Sequence, residues 1–121
     1  MTQLTPNFST DELDCPCCGE CNMSSGFINQ LQYLRDLIKR PLRINSAFRC
    51  DKHNSEIGGA KNSRHLAGEA VDISYGPLSS KDRRFLISMA LDMFDGVGIG
   101  STFIHVDTRG GEKALWFYSK E

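Results

Sequence analysis

Hydrophobic and polar residues follow two different periods along the chain. Apolar residues recur at helical spacing over 27–38 and again over 85–93, which predicts two amphipathic helices. Ser24 or Ser25 can cap the first of these helices, and Ser79 can cap the second. We assign the apolar residues of both stripes to the core and give them no chemical role.

Shorter elements fill the intervals between these helices. A capping-box pattern predicts a helical turn at 10–13, and residues 51–57 are typical of a brief helix before a glycine pair. Alternating or apolar runs predict five strands, at 42–46, 70–74, 96–100, 103–107 and 115–118. The sequence therefore predicts the α+β class, with a small, mainly antiparallel sheet packed with about three helices.

The 121-residue length predicts a single domain over 1–121, with the cysteine-containing segment 1–25 packed on it. A net charge of -1 provides no basic surface, so no nucleic-acid partner is expected. No apolar run approaches the roughly 18 residues of a membrane span. The N-terminus lacks a basic region followed by an apolar run, so we expect synthesis in the cytoplasm without a signal peptide. A monomer is expected.

Four of the five cysteines lie close together, and the fifth, Cys50, lies far along the chain. The four are Cys15, Cys17, Cys18 and Cys21. Their spacing falls short of the paired C-x-x-C pattern of structural zinc sites. Three of them, or two with Cys50, could still bind a structural metal. Reduced thiols in a turn, or one disulfide in an oxidising compartment, is the interpretation we favour.

Two of the three histidines, His65 and His105, lie among apolar or small residues, whereas His53 has polar neighbours. Asp72 interrupts an apolar run. Unpaired imidazole and carboxylate groups are costly to bury. One zinc ion would be a partner for the side chains of His65, Asp72 and His105 together. Three protein ligands with one position left for water is the pattern of a catalytic zinc site. The alternatives are a chance spacing and an Asp72–arginine ion pair.

Residues 63–72 have the form S-x-H-x-x-G-x-A-x-D, with SAFR and NSEIGGA before them and GIG and HVD after them. Through these motifs the chain resembles the D-Ala-D-Ala carboxypeptidase family of zinc peptidases. That family includes the vancomycin-resistance dipeptidases and the phage L-alanyl-D-glutamate endopeptidases. The likeness extends from about Phe8 to Arg109 and is greatest to small phage and prophage members.

The resemblance implies a hedgehog or D-Ala-D-Ala-peptidase-like fold and hydrolysis of peptidoglycan stem peptides. It also implies an endolysin-like enzyme that acts on the cell wall after release, in lysis or remodelling. The family's zinc ligands fall on His65, Asp72 and His105. Arg49 matches an arginine that contacts the substrate and stabilises negative charge, and Ser63 matches a serine that positions the substrate. The alternative for Arg49 is a surface ion pair of little value.

The chain departs from the family where a catalytic Glu or Asp usually stands, three residues before the last histidine ligand. Thr102 occupies that position and cannot act as a general base. Asp107, on the same strand face as His105, is the nearest substitute. It is either the base or a group that orients His105. The departure also motivates an alternative function, a non-catalytic zinc-containing module that binds cell-wall peptide or protein. A zinc-ribbon-like adaptor built on the cysteines is a third possibility.

Overall fold

The computed structural model describes residues 2–59 and 63–118. The main sheet has five strands in the order β3-β4-β6-β5-β7. They are β3 (Arg43–Ser46), β4 (Ala70–Ser74), β5 (Gly96–Ile99), β6 (Phe103–Asp107) and β7 (Ala114–Phe117). Every pairing is antiparallel except that of β5 with β7. A separate two-stranded sheet joins β1 (Gln3–Thr5) to β2 (Phe8–Ser9).

Within the described residues, four helices accompany the sheets, and two of them are long. They are α1 (Thr10–Leu13), α2 (Ser25–Ile38), α3 (Asp51–Glu56) and α4 (Ser80–Met93). The Ser24 side chain accepts the Phe27 amide at the start of α2, and the Ser79 side chain accepts the Asp82 amide at the start of α4. Each cap satisfies a backbone donor that would otherwise lack an intrahelical partner.

The two long helices pack together and bury the apolar face of the sheet. The rings of Phe27 in α2 and Phe94 after α4 lie 5.8 Å apart between centroids. The strands alternate strictly, so that Val71, Ile73, Val97, Ile104 and Val106 face this core and are at most 2% exposed. The opposite face of the sheet is therefore left to carry polar side chains.

The N-terminal segment packs on the same core. Phe8 and Leu13 are almost completely buried within it. The Phe48 amide donates to the Leu13 carbonyl at 3.2 Å, which ties α1 to the chain after β3. This contact brings the cysteine-containing turn next to Cys50.

The α+β class and its mainly antiparallel sheet are confirmed. The sequence reasoning missed β1 and β2, whose few residues are too short for a periodic signal. The last strand, β7, pairs in parallel with β5 and not with β6, the strand before it in the chain. No helix within the described residues is long and apolar enough to cross a bilayer.

Candidate active site

Strand register brings Asp72 and His105 together on the polar face of the sheet. The two residues are directly opposite in the antiparallel pairing of β4 with β6. Opposed residues in such a pair have their side chains in contact range. His105 Nδ1 accordingly lies 3.0 Å from Asp72 Oδ1.

His65 reaches the same place from the turn that precedes β4. Its backbone carbonyl accepts the Arg49 amide at 3.2 Å, which fixes the turn beside β3. Gly68 permits the turn, because its φ of +69° is left-handed and a Cβ there would clash with the Asn22 carbonyl. The His65 ring packs edge-on to the His105 ring, with centroids 5.2 Å apart.

The outer nitrogen of each histidine is held by a hydrogen bond that directs the other nitrogen inward. His65 Nδ1 lies 2.7 Å from the Ala47 carbonyl oxygen, so Nδ1 carries the hydrogen and Nε2 keeps a lone pair. His105 Nε2 lies 2.7 Å from Asp107 Oδ2, which leaves His105 Nδ1 facing Asp72. Histidines that bind metals are commonly oriented in this way.

The residues fit a zinc ion. His65 Nε2 is buried and makes no hydrogen bond within the described residues, although it lies 3.3 Å from Asp72 Oδ1. The donor atoms of His65, Asp72 and His105 all lie within 4.8 Å of one another. Bond lengths of about 2.0–2.2 Å put neighbouring ligands of tetrahedral zinc roughly 3.3–3.5 Å apart. A cation here would give the unpaired nitrogen a partner.

The charge balance of this cluster is set by its carboxylates. Burial alone would raise the pKa of Asp72, but the hydrogen bond with His105 and the nearby His65 ring hold it well below its usual value. Burial lowers the pKa of His105, and the carboxylates of Asp107 and Asp72 more than reverse this, so its pKa is raised. An ionised Asp72 therefore faces a nitrogen that holds either a proton or a metal.

Asp107 is placed behind His105 rather than in the open site. Its side chain is fully buried and accepts the His105 Nε2–H. Arg109 donates to both carboxylate oxygens, from Nε at 3.0 Å and from Nη2 at 2.8 Å. Burial raises the pKa of Asp107, but the bonds from His105 and Arg109 lower it far below its usual range. These contacts favour the orienting role over the role of general base.

Arg49 lies beside the cluster, where its side chain is only 11% exposed. Its Nη2 is 3.7 Å from Asp72 Oδ2, Nη1 donates to Asn54 Oδ1 at 2.9 Å, and Nε donates to Ser46 Oγ at 3.3 Å. The guanidinium is thus held in one orientation. The ion pair is mostly buried and faces the site, unlike the surface pair considered as an alternative.

A pocket of about 720 Å³ opens over these groups. Ser63 lines it, and the Ser63 hydroxyl oxygen accepts the His65 amide at 3.2 Å. Thr102 is exposed in the turn before β6. Among the described residues, Asp72 is the one carboxylate that lines the pocket. The lining is Arg49, Ile57, Gly58, Gly59, Ser63, Arg64, His65, Asp72, Phe103, His105, Arg109, Trp116 and Tyr118.

The aromatic wall of the pocket was missed by the sequence reasoning. The Trp116 ring lies 5.3 Å from the His105 ring, and the Arg109 guanidinium lies 4.8 Å above Trp116. Phe103 and Tyr118 complete the wall, 5.0 Å apart between ring centroids. Alternation of Trp116 and Tyr118 along β7 was a usable signal. The sequence does not indicate which strand lies beside β7, and the structure places it next to β5.

The wall rests on glycines of β5 and the residue after it. A Cβ at Gly96 would clash with the Asp107 carboxylate, one at Gly98 with Trp116, and one at Gly100 with Phe103. These three positions face the pocket side, while Val97 and Ile99 face the core. The absence of side chains at these positions lets a carboxylate and two aromatic rings approach the backbone closely.

Three cysteines also converge, namely two of the four clustered in the sequence together with Cys50, which is one of the combinations considered above. The sulfurs of Cys15, Cys18 and Cys50 lie within 4.8 Å of one another. Burial raises the pKa of the Cys15 thiol, but hydrogen bonds from the backbone of Cys50, Cys18 and Cys17 lower it to about 7. Cys21 instead packs against the hydrophobic core.

Comparison with known proteins identifies the family. The family model described as Peptidase M15 matches residues 6–107. The chain belongs to the peptidase M15 family. This membership confirms the expectation of a peptidase and of the family to which the sequence motifs are similar.

One relative is the zinc D-Ala-D-Ala carboxypeptidase of Streptomyces albus G, which is 42% identical to this chain over 48 residues. The matched segment is 39% of this chain and 19% of the relative. The chain thus matches less than a fifth of the relative's length. The likeness is local.

Proposed function

We propose that this M15 domain is a zinc-dependent peptidase that hydrolyses peptide bonds of peptidoglycan stem peptides. The observation that carries the proposal is the convergence of His65 Nε2, Asp72 Oδ1 and His105 Nδ1 in the open pocket. The name of the Streptomyces relative supports zinc as the metal and a D-alanyl peptide as the substrate. The specific reaction is that of a D,D-carboxypeptidase, a D,D-endopeptidase or an L-alanyl-D-glutamate endopeptidase.

His65, Asp72 and His105 would hold the ion. When bound, zinc supplies Lewis-acid polarisation of the scissile carbonyl and acidification of water. Asp107 fixes the ring of His105, because it accepts the Nε2–H at 2.7 Å. Arg109 holds Asp107 in turn, so that the orientation of one ligand depends on a chain of two residues.

Arg49 binds the substrate in this proposal. Guanidinium has five N–H donors, and those to Ser46 and Asn54 leave others for an incoming group. A preorganised donor that faces developing negative charge is commonly among the largest contributions to catalysis. The same guanidinium suits a peptide carboxylate, which stem peptides carry. Ser63 shapes the turn at His65 and contributes to the pocket wall.

Digestion of purified muropeptides with the zinc-loaded protein tests the proposal. We expect products with a new amine or carboxyl terminus, identified by mass spectrometry. A His65→Ala, His105→Ala double variant should give none, whereas His53→Ala should act like the wild type because His53 does not line the pocket. A fully zinc-loaded wild type that cleaves neither crosslinked nor uncrosslinked stem peptides would refute the peptidase proposal.

A non-catalytic zinc-containing module is the second candidate. Two observations favour it. Thr102 stands where the family usually has an acidic residue. Among the described residues that line the pocket, Asp72 is the one carboxylate, and it is a candidate metal ligand. Such a module would bind stem peptide without turnover. Calorimetric binding of muropeptides that remain uncleaved, and that His105→Ala abolishes, would support this candidate over the first.

A further inference from the structure

The cysteine cluster is assembled by backbone contacts from two distant parts of the chain. Within the turn, the Gly19 amide donates to the Cys15 carbonyl at 2.8 Å, and the Cys15 amide donates to the Glu20 carbonyl at 2.7 Å. The bond from Phe48 to Leu13 places Cys50 against this turn. Cys50 lies just before α3, where its sulfur accepts the His53 amide.

The sulfur geometry fits a metal ion. The Sγ atoms of Cys15 and Cys50 are 3.7 Å apart. Thiolates bound to tetrahedral zinc at about 2.3 Å have sulfurs roughly 3.8 Å from each other. All five cysteines are free thiols in the structure. The thiols of Cys15, Cys18 and Cys50 share one small volume, and two of them are partly or fully buried, as expected for ligands of a structural metal ion.

The fourth ligand follows from the surroundings of the two remaining cysteines. Structural zinc sites are nearly always four-coordinate, with protein ligands alone. Cys21 is excluded because it packs against the hydrophobic core. Cys17 is exposed and lies in the same turn, between Cys15 and Cys18 in the sequence. It is therefore the remaining candidate for the fourth ligand.

We propose that Cys15, Cys17, Cys18 and Cys50 bind a second, structural zinc ion. The ion links the N-terminal turn to the residue that follows Arg49. It thereby fixes the start of α3 and, beyond it, the pocket wall at Ile57 and Gly58. The inference does not rest on peptidase activity, since the two clusters share no ligand.

Metal content of matched variants tests the proposal. Protein purified with reductant and zinc, then freed of loosely bound metal, should contain about two zinc ions per chain. The His65→Ala, His105→Ala variant should retain about one zinc ion per chain. The Cys15→Ser, Cys50→Ser variant should also retain about one. Cys21→Ser is the matched control and should retain two. Cys17→Ser should weaken zinc retention relative to this control.

Cobalt substitution gives a second readout that needs no cysteine variant. In the double-histidine variant, bound Co²⁺ should show a near-ultraviolet sulfur-to-metal charge-transfer band of tetrahedral thiolate coordination. One zinc in the wild type with none in the double-histidine variant would overturn the proposal. So would the absence of the charge-transfer band, or a Cys15–Cys50 disulfide found by intact mass in freshly purified protein. Unchanged zinc affinity in Cys17→Ser would remove Cys17 from the ligand set.

Discussion

The two candidate metal clusters differ in what holds their ligands. Asp72 and His105 are opposed on paired strands, and each histidine is fixed from behind by the Ala47 carbonyl or by Asp107. The cysteines lie in a turn and before a short helix. The first cluster is preorganised by the sheet. At the second, the proposed ion would add a crosslink between two segments that a backbone hydrogen bond already brings together. A metal can thus be a reagent in one part of a small domain and a crosslink in another.

Removal of all zinc by a strong chelator should separate these roles most sharply. We expect peptidase activity to fall by more than about 10³-fold, because even one preorganised donor is worth roughly 10²–10³. Hydrogen exchange should remain slow in β4 and β6 but should accelerate in 15–21 and 50–56. Equal acceleration in both regions would contradict the distinction between a preorganised and an ion-dependent cluster.

Arg49→Ala should lower kcat/KM by about 10²–10³-fold without loss of zinc from the histidine site. The reason is that Arg49 faces the pocket beside Asp72 yet supplies no metal-binding atom. Arg49→Lys keeps the charge but loses the planar fork, so it should restore only part of the activity. Arg40→Ala, which removes an exposed arginine paired with Asp82, is the control and should act like the wild type.

Asp107→Asn should weaken zinc affinity or activity by about 10–100-fold, the usual cost of losing a group that orients a ligand histidine. Competition with a chromogenic chelator measures the affinity, and muropeptide kinetics measure the activity. A general base would behave differently: full zinc affinity with a much larger loss of kcat. That result would reverse the assignment made from the burial of Asp107.

Acidification should release zinc more steeply from the cysteines than from the histidine site. Below pH 7 the thiol of Cys15, with a pKa of about 7, and that of Cys18, with a pKa of about 11, carry protons. So does Cys17, whose pKa is raised by slight desolvation and by the neighbouring Cys50 thiol. Zinc must displace at least these three. At the other site Asp72 has a lowered pKa and is already ionised, while His105 has a raised pKa and holds one proton.

The logarithm of zinc affinity should therefore fall by about three or more per pH unit at the cysteines and by about one at the histidine site. Chelator competition between pH 7 and pH 6, performed on the double-histidine and double-cysteine variants separately, measures both slopes. Equal slopes would show that the clusters differ less in protonation than their surroundings indicate.

Periodicity predicted most of the fold because the apolar residues of the two long helices and of the central strands recur at helical or strand spacing. His105 and Asp107 were expected on one strand face, and Asp72 was expected beside a partner. The orienting hydrogen bonds were beyond reach, since a carbonyl such as that of Ala47 leaves no trace in a residue pattern. The position of Trp116 in the pocket wall was missed because the pairing of β7 with β5 does not follow from the order of the strands along the chain. Cys50 joined the cysteine turn through a backbone contact that no spacing rule encodes.

The glycines at 96, 98 and 100 deepen the pocket because they have no side chain. Because a methyl group at any of them would meet a carboxylate or an aromatic ring, each position is closed to enlargement. Efforts to redirect substrate preference should therefore spare this strand and vary the rim, at Ile57, Phe103 and Tyr118. We expect a combinatorial library at the rim to retain foldable members, and one directed to the glycines to lose them.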